Sequence, residues 1–475
     1  MSCYDRHMSG QTTKSFADVK ALTASQVLAA HSSSVMLENL PDTVVHAIGN
    51  FTLDTIGVGI AGVRSPYAAG VTQVARGWGD GGDAHCFVTG HALPAASAAF
   101  VNAFQAHALE FDCVHEGAVL HPFTVVVPVL LAEAQRVGLD GANFIAACAA
   151  GVEVATGLGV SATSQIRFFR PATCGLFGAT AALALARGLD AEITAHAFGY
   201  ALAFASGTMQ AHVEGTPALA ASVGAAARSA FTAVDLAQAG LPGPAGSIDG
   251  PFGYLNLCEL ESDIAPILAS LGKVWRAGEV SWKPFPTGRA AHGGIDMILS
   301  LRAQGLTADN LASLTIYAPP LIHHLVGRPI APAPLEVNYA RLCLPYVGAV
   351  ALVTGGVTLS DFTPERLSDP LIHAVGAKIH VVINDVTNQS AFTPQRTVAT
   401  LTDGSVLEVS IDALLGAPVR PLSRAQHLAK FHACSAYGFG EVLHDINDRL
   451  IEATNTLATL PNVGILGRLA AGLGT

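Results

Sequence analysis

Charge is the scarcest property of this sequence. Lys, Arg, Asp and Glu together make up 13% of its 475 residues, about half of the roughly 25% usual for soluble domains. Cations are scarcer than anions, 25 against 36, giving a net charge of −11. That excludes a general nucleic-acid surface, which needs clustered Lys and Arg, but not a small anionic ligand, for which a few cations in a cleft suffice. The eight cysteines, from Cys3 to Cys434, stand singly with no Cys-x-x-Cys pair. They read as reduced, mostly buried thiols of a cytoplasmic protein. Uninterrupted apolar runs of about 20 residues, as a membrane span requires, are also missing: Gly151 to Ala162 contains Glu153, and Leu176 to Leu189 contains Arg187. The first residues, with Asp5, Arg6, Lys14 and Asp18, lack the apolar stretch of a secretory signal, and a flexible tail is expected over 1–20.

What the chain has instead is small-residue helix. Apolar residues fall at helical spacing from Ala21 to Leu40, from Pro41 to Gly62 and, with Pro and Gly punctuation, from Pro94 to about Gly240. The Gly77 to Gly82 loop lacks the preceding strand and the lysine of a phosphate-binding loop and reads as a plain turn. After Val280 the texture changes. Strand-like runs appear at Leu314 to Tyr317, Ala377 to Ile383, Thr397 to Leu401 and Val406 to Ile411, the last two flanking Asp403-Gly404, a favoured hairpin turn. Helical runs near Arg289 to Leu301 and Leu342 to Gly355 make this unit α+β, and helical spacing returns from Ser423 to Leu473. The fold expected is mostly α: a large helical domain from 21–279 and 423–475, with a smaller α+β lid over 280–422. Low charge with high hydrophobicity also suggests surface buried in an oligomer.

Ionisable chemistry concentrates in one window, His107 to Pro122, which holds three histidines, two glutamates and one aspartate behind a buried helix. Such groups need partners or a purpose. A structural ion-pair network and a reactive pocket are both compatible with the window alone. His107, Glu110 and His115 lack the helical His-x-x-x-His spacing of a metal site, so no metal is expected.

Several blocks in order, namely Leu53-Asp-Thr-Ile-Gly57, His107 to Asp112 with His121-Pro122, Lys283-Pro-Phe-Pro286, Pro345-Tyr346, Gly416 to Leu422 and Lys430-Phe431, resemble the 2-methylcitrate dehydratase family, MmgE/PrpD. The family also holds cis-aconitate decarboxylases and iminodisuccinate epimerases. The resemblance covers nearly the whole chain. It implies a homodimer with the site between helical domain and lid, and cofactor-free proton movement beside a carboxylate of a small di- or tricarboxylate, with no membrane or nucleic-acid partner. The family's acidic residue matches Glu110, its histidine before proline His121, its lysine Lys283 and its tyrosine Tyr346. Three positions depart: an expected lysine falls at Leu219, an expected histidine before Pro171 is Arg170, and another falls at Gly288, near Arg289 and His292.

Those departures remove acid–base candidates for dehydration and favour epimerisation by an iminodisuccinate epimerase-like route, with 2-methylcitrate dehydration or cis-aconitate decarboxylation as alternatives. A catalytically inactive binding homologue is the non-enzyme alternative. Lys283, with either Tyr346 or His121 opposite it, is expected to exchange the proton. Lys283 lies between Trp282 and Pro-Phe-Pro, where desolvation favours a base. Glu110 and Asp112 are expected to orient histidines, while Arg170, Arg289 and Arg341, with His107 and His292, hold substrate carboxylates. Core tyrosine, interdomain salt bridge and helix cap are the plain structural readings of Tyr346, the arginines and His121.

Overall fold

The computed structural model of the chain describes residues 22–474; the tail expected over 1–20, with Cys3, lies outside the described residues. The chain is mostly helical. Helices Ala95–His107, Pro122–Val137, Gly141–Ser161, Arg170–Ala186 and Ala218–Gln238 form the centre of the larger unit. Asp42–Gly62 begins behind Pro41, and Ala95–His107 behind Pro94, each proline standing where a helix needs no N–H. The Ser423 side chain, in a capping box with Gln426, opens Arg424–Phe439. That helix packs on Asp42–Gly62, and Gly464–Ala470 packs on Pro122–Val137, so the C-terminal helices return to the first unit.

Two helices, Asp42–Gly62 and Gly141–Ser161, are long and apolar enough to cross a membrane by length and composition, and most of each is buried inside the protein. Their buried charged residues are paired rather than solvated. Asp54 meets Lys430 at 2.7 Å, and Glu153 pairs with Arg276. Small residues permit the close approach: a Cβ on Gly178 would stand 2.4 Å from the Gly151 carbonyl oxygen of the neighbouring helix, closer than packing allows. The seven described cysteines are free and buried.

The smaller unit carries a four-stranded sheet in the order Ile379–Ile383, Leu311–Ala318, Gln395–Leu401, Val406–Ile411. The first two strands run parallel, and the helices Pro320–Val326, Leu344–Thr354 and Pro370–Gly376 lie in the connection between them, as a parallel pair requires. The last two form an antiparallel hairpin across Asp403-Gly404, with Gly404 at φ +85°. Helix His292–Ala303 packs on the last two strands and on Leu344–Thr354. A two-stranded hairpin, Ala84–His85 with Ala92–Leu93, also interrupts the helical half; it is too short to leave an alternating pattern.

The helix contact yields a paired expectation. Gly178→Val should destabilise the protein by about 3 kcal/mol through overpacking. Gly70→Ala, in an exposed helix where an added Cβ meets nothing within 4 Å, should stabilise it by about 0.5–1 kcal/mol. Urea unfolding of both variants checks this, and equal shifts would refute the close helix contact.

Candidate active site

Helix Ala95–His107 ends into a loop that turns back to enter helix Pro122–Val137. Two residues of this loop, Glu110 and Val119, have φ of +52° and +51°, a region that non-glycine residues rarely adopt. Cationic and imidazole side chains hold the loop's carbonyls from several sides. Arg341 donates to Ala108 O at 3.1 Å, Lys283 to Glu110 O at 3.1 Å, Lys430 to Phe111 O at 2.8 Å and Arg170 to Ala118 O at 3.1 Å. His121 Nδ1 lies 2.8 Å from Cys113 O. A two-way backbone pairing of Val114 with Ser281, at 3.0 and 2.7 Å, carries Lys283 to the loop. Trp282 N donates to Gly416 O at 2.8 Å. Only glycine fits at 416, where φ is +89° and a Cβ would stand 2.5 Å from Trp282 O.

The loop brings together Lys283, Glu110, Asp112, His107 and His121. Lys283 is fully buried, its Nζ 3.1 Å from Glu110 Oε2 and 3.7 Å from Asp112 Oδ1. Burial of this lysine matches the expectation drawn from Trp282 and Pro-Phe-Pro, and its carboxylate partners come from a distant part of the chain, 173 residues away for Glu110. His107 lies between Asp112, at 3.0 Å from Nδ1, and Glu110, at 3.3 Å from Nε2. Burial alone would push its pKa down, but Asp112 and Glu110 outweigh burial and hold it up at about 10. The same bonds, with Lys283, depress both carboxylates against the opposing pull of burial.

Asp112 also accepts from Thr124 Oγ1 at 2.6 Å and lies 3.2 Å from His121 Nδ1. Burial, reinforced by Lys283 and His107, keeps the His121 pKa below its ordinary value despite Asp112. Two cations thus meet two carboxylates, and His121 remains neutral. With the Nδ1 proton directed at Cys113 O, Nε2 is its acceptor. His107, Asp112 and His121 bring ligand-type atoms within 4.8 Å of one another; His107 Nδ1, His121 Nδ1 and Asp112 Oδ2 are engaged in hydrogen bonds, whereas His107 Nε2 and Asp112 Oδ1 have no hydrogen-bond partner.

A partly open cavity lies beside this cluster, with about 510 Å³ of non-atom space that includes open solvent. Glu110, His121, His212 and Arg289 supply its polar lining, and residues such as Phe169 and Leu342 its apolar walls. A smaller adjoining cavity is lined by His107, Glu110 and Leu219, among others.

Three expected site residues are placed otherwise. Tyr346 is fully buried, and its hydroxyl donates to Asp361 O at 2.7 Å, so its proton is committed to a backbone carbonyl. Burial and Asp361 push its pKa up. Arg170 forms a two-bond pair with Glu259, both contacts 3.0 Å, and is a structural cation, not a free carboxylate anchor. His292 is buried beside Phe285, with Nε2 3.2 Å from Thr287 O. Arg289 reaches the cavity but is shared among Glu116 at 2.7 Å, Trp282 O and Leu415 O. Arg341 differs. Among the described residues it has no carboxylate within ion-pair distance, its Nε lacks a partner, and its guanidinium lies 4.6 Å over the Phe362 ring. His212, by contrast, was missed because nothing in its local sequence marks it; only its place on the cavity does.

A helical body and an α+β unit carry between them a buried acid–base cluster beside a cavity. The chain matches the MmgE/PrpD N-terminal domain over residues 26–266 and the MmgE/PrpD C-terminal domain over residues 285–455. It belongs to the MmgE/PrpD family. It is similar to the cis-aconitate decarboxylase of Homo sapiens, 26% identical over 473 residues covering 96% of this chain and 95% of that protein. Likeness also extends to the cis-aconitate decarboxylase of Mus musculus, 26% identical over 475 residues (96% and 94%), and to that of Aspergillus terreus, 23% identical over 446 residues (88% and 91%).

The charge balance has a pH signature. His107, raised above its ordinary 6.5 to about 10, contributes stability that is complete below pH ~6.5 and lost as pH rises through about 10. The depressed carboxylates contribute above their ordinary range, and that part is lost as pH falls. His107→Gln should therefore cost about 3 kcal/mol near neutrality, and its deficit relative to the unaltered protein should shrink toward pH ~10. Urea midpoints across that range test this; a constant deficit would mean that His107 is not an imidazolium.

Proposed function

We propose that this protein is a lyase that decarboxylates a small unsaturated polycarboxylate, as the names of its relatives indicate for them. The observation that carries the reading is His121: a neutral imidazole on the cavity wall, its Nδ1 fixed by Cys113 O and Asp112, backed by a charge-balanced cluster. Loss of CO2 from an allylic carboxylate leaves its electron pair in the allyl system, and a proton must reach the carbon beside a remaining carboxylate. A bound polyanion raises the pKa of a nearby imidazole. It therefore gives His121 the proton to deliver when carbanion character develops, and Nε2 is the nitrogen that delivers it. Arg341, the buried guanidinium without a carboxylate partner, is the cation best able to offset substrate charge.

Epimerisation, the expectation drawn from the departures at Leu219, Arg170 and Gly288, has less support. Of the two groups it placed opposite Lys283, Tyr346 is bonded to Asp361 O, which leaves His121, and the similar proteins are decarboxylases by name.

The test is proton NMR in D2O with cis-aconitate, citrate, 2-methylcitrate and iminodisuccinate, together with CO2 release. CO2 with deuterium in the product supports decarboxylation, and His121→Ala should lower kcat by about 10²- to 10⁴-fold. Exchange and stereoisomer formation without CO2 would overturn the reading in favour of epimerisation. Binding without turnover would instead indicate an inactive homologue.

A further inference from the structure

His212 lies on the five-residue helix Gln210–Glu214, is 6% exposed and lines the same cavity as His121. Its orientation is set from the smaller unit. Arg328 Nη2 lies 3.2 Å from His212 Nδ1 and donates to His212 O at 3.0 Å, while Nη1 donates to Val213 O at 3.4 Å. A guanidinium has no lone pair to offer, so Nδ1 is the acceptor and the ring proton resides on Nε2. Arg328 is in turn held over the Tyr339 ring at 5.0 Å, and the Tyr339 hydroxyl donates to Pro329 O at 2.8 Å. Tyr339 also backs the end of the histidine's helix: a Cβ on Gly215, whose φ is +70°, would stand 2.9 Å from Tyr339 N.

We propose that His212 donates its Nε2–H to a substrate oxygen in the cavity, and that Arg328 is the positioning residue that fixes this tautomer. The substrate class rests on the lyase reading; the tautomer does not. The groups acting on His212 are consistent with a ring that stays neutral while it donates. Burial and then Arg328 hold its pKa down at about 3, with His324 and His107 acting in the same direction and Glu110 opposing. A neutral imidazole polarises an oxygen without giving up its proton, so it complements His121 rather than competing with it.

Long-range proton–nitrogen NMR of histidine-labelled protein, with His212 assigned through His212→Gln, should show an Nε2–H ring that does not titrate between about pH 8 and pH 5. Arg328→Ala should release the tautomer and move titration up toward the ordinary range; Arg328→Lys, which keeps a donor and a charge, should restore it. In turnover of cis-aconitate, or in calorimetric binding of the unreactive tricarballylate, His212→Phe should lose about 10- to 100-fold. His212→Gln, which keeps an N–H near Nε2, should recover part of that loss. Arg328→Ala should lower kcat more than it raises KM and add an acid limb to the pH profile. An Nδ1–H ring, ordinary titration in the unaltered protein, or an unchanged His212→Phe variant would overturn the proposal. A protein that turns over none of the panel sinks the lyase reading, while the tautomer still decides this one.

Discussion

The structure depends on a loop whose backbone carbonyls are held by side chains from distant parts of the chain. Between Ala108 and Leu120 the chain cannot be regular, because it must reverse direction and place Glu110 and Asp112 inward. The carbonyls of Ala108, Glu110, Phe111, Cys113 and Ala118 then lack backbone partners, and a buried unpaired carbonyl is costly. Arg341, Lys283, Lys430, Arg170 and His121 supply those partners. Each such bond to a charged donor is worth about 1.5–3 kcal/mol, and together they stabilise the left-handed backbone at Glu110 and Val119. Five scattered cationic and imidazole residues in a charge-poor chain thus converge on one stretch of thirteen residues.

The same cations also determine which groups can react. Lys430 is tied to Asp54 as well as to Phe111 O, and Arg170 to Glu259, so each can support the loop without adding uncompensated charge. Lys283 faces Glu110 and Asp112, and His107 lies between those same carboxylates. The compensation is local, and it leaves His121 as the imidazole on the cavity wall with a nitrogen still available. Opposite pKa shifts for His107 and His121 follow from position: one lies between two carboxylates, whereas the other meets a backbone carbonyl and shares with His107 a single oxygen, Oδ2, of Asp112. Pushing apart the pKa values of adjacent groups is how a site acquires distinct acid and base roles.

Much of this architecture was legible in the sequence, and the remainder was hidden for physical reasons. Helix starts at Pro41, Pro94 and Pro122, the Asp403-Gly404 hairpin and the change of texture after Val280 are local signals. His107, Glu110, Asp112 and His121 drew attention because they crowd one window. Ion-pair partners carry no such mark. Glu259 lies 89 residues from Arg170, and Glu110 lies 173 from Lys283, so a free anchor and a structural cation look alike in sequence. Tyr346 misled for a related reason: the carbonyl that takes its proton, Asp361 O, belongs to a different turn. His212 sits in a short helix whose neighbours are unremarkable, and only the approach of Arg328 from the smaller unit gives it a defined proton.

The three positions at which this chain departs from its family's pattern form a physically coherent set. An arginine at 170 is tolerated because Glu259 is there to receive it, and the pair serves as an anchor for Ala118 O. At 288, glycine lies against Leu342, and both residues line the cavity. Leu219 leaves the small adjoining cavity without a lysine, but that cavity is also lined by His107, whose imidazolium supplies positive charge from the opposite element. None of these changes unbalances the cluster around Asp112. Removing any one member of that cluster would leave a buried charge unmatched, which is strongly destabilising, so the two carboxylates and two cations hold one another in place and keep His121 in its fixed orientation beside the cavity.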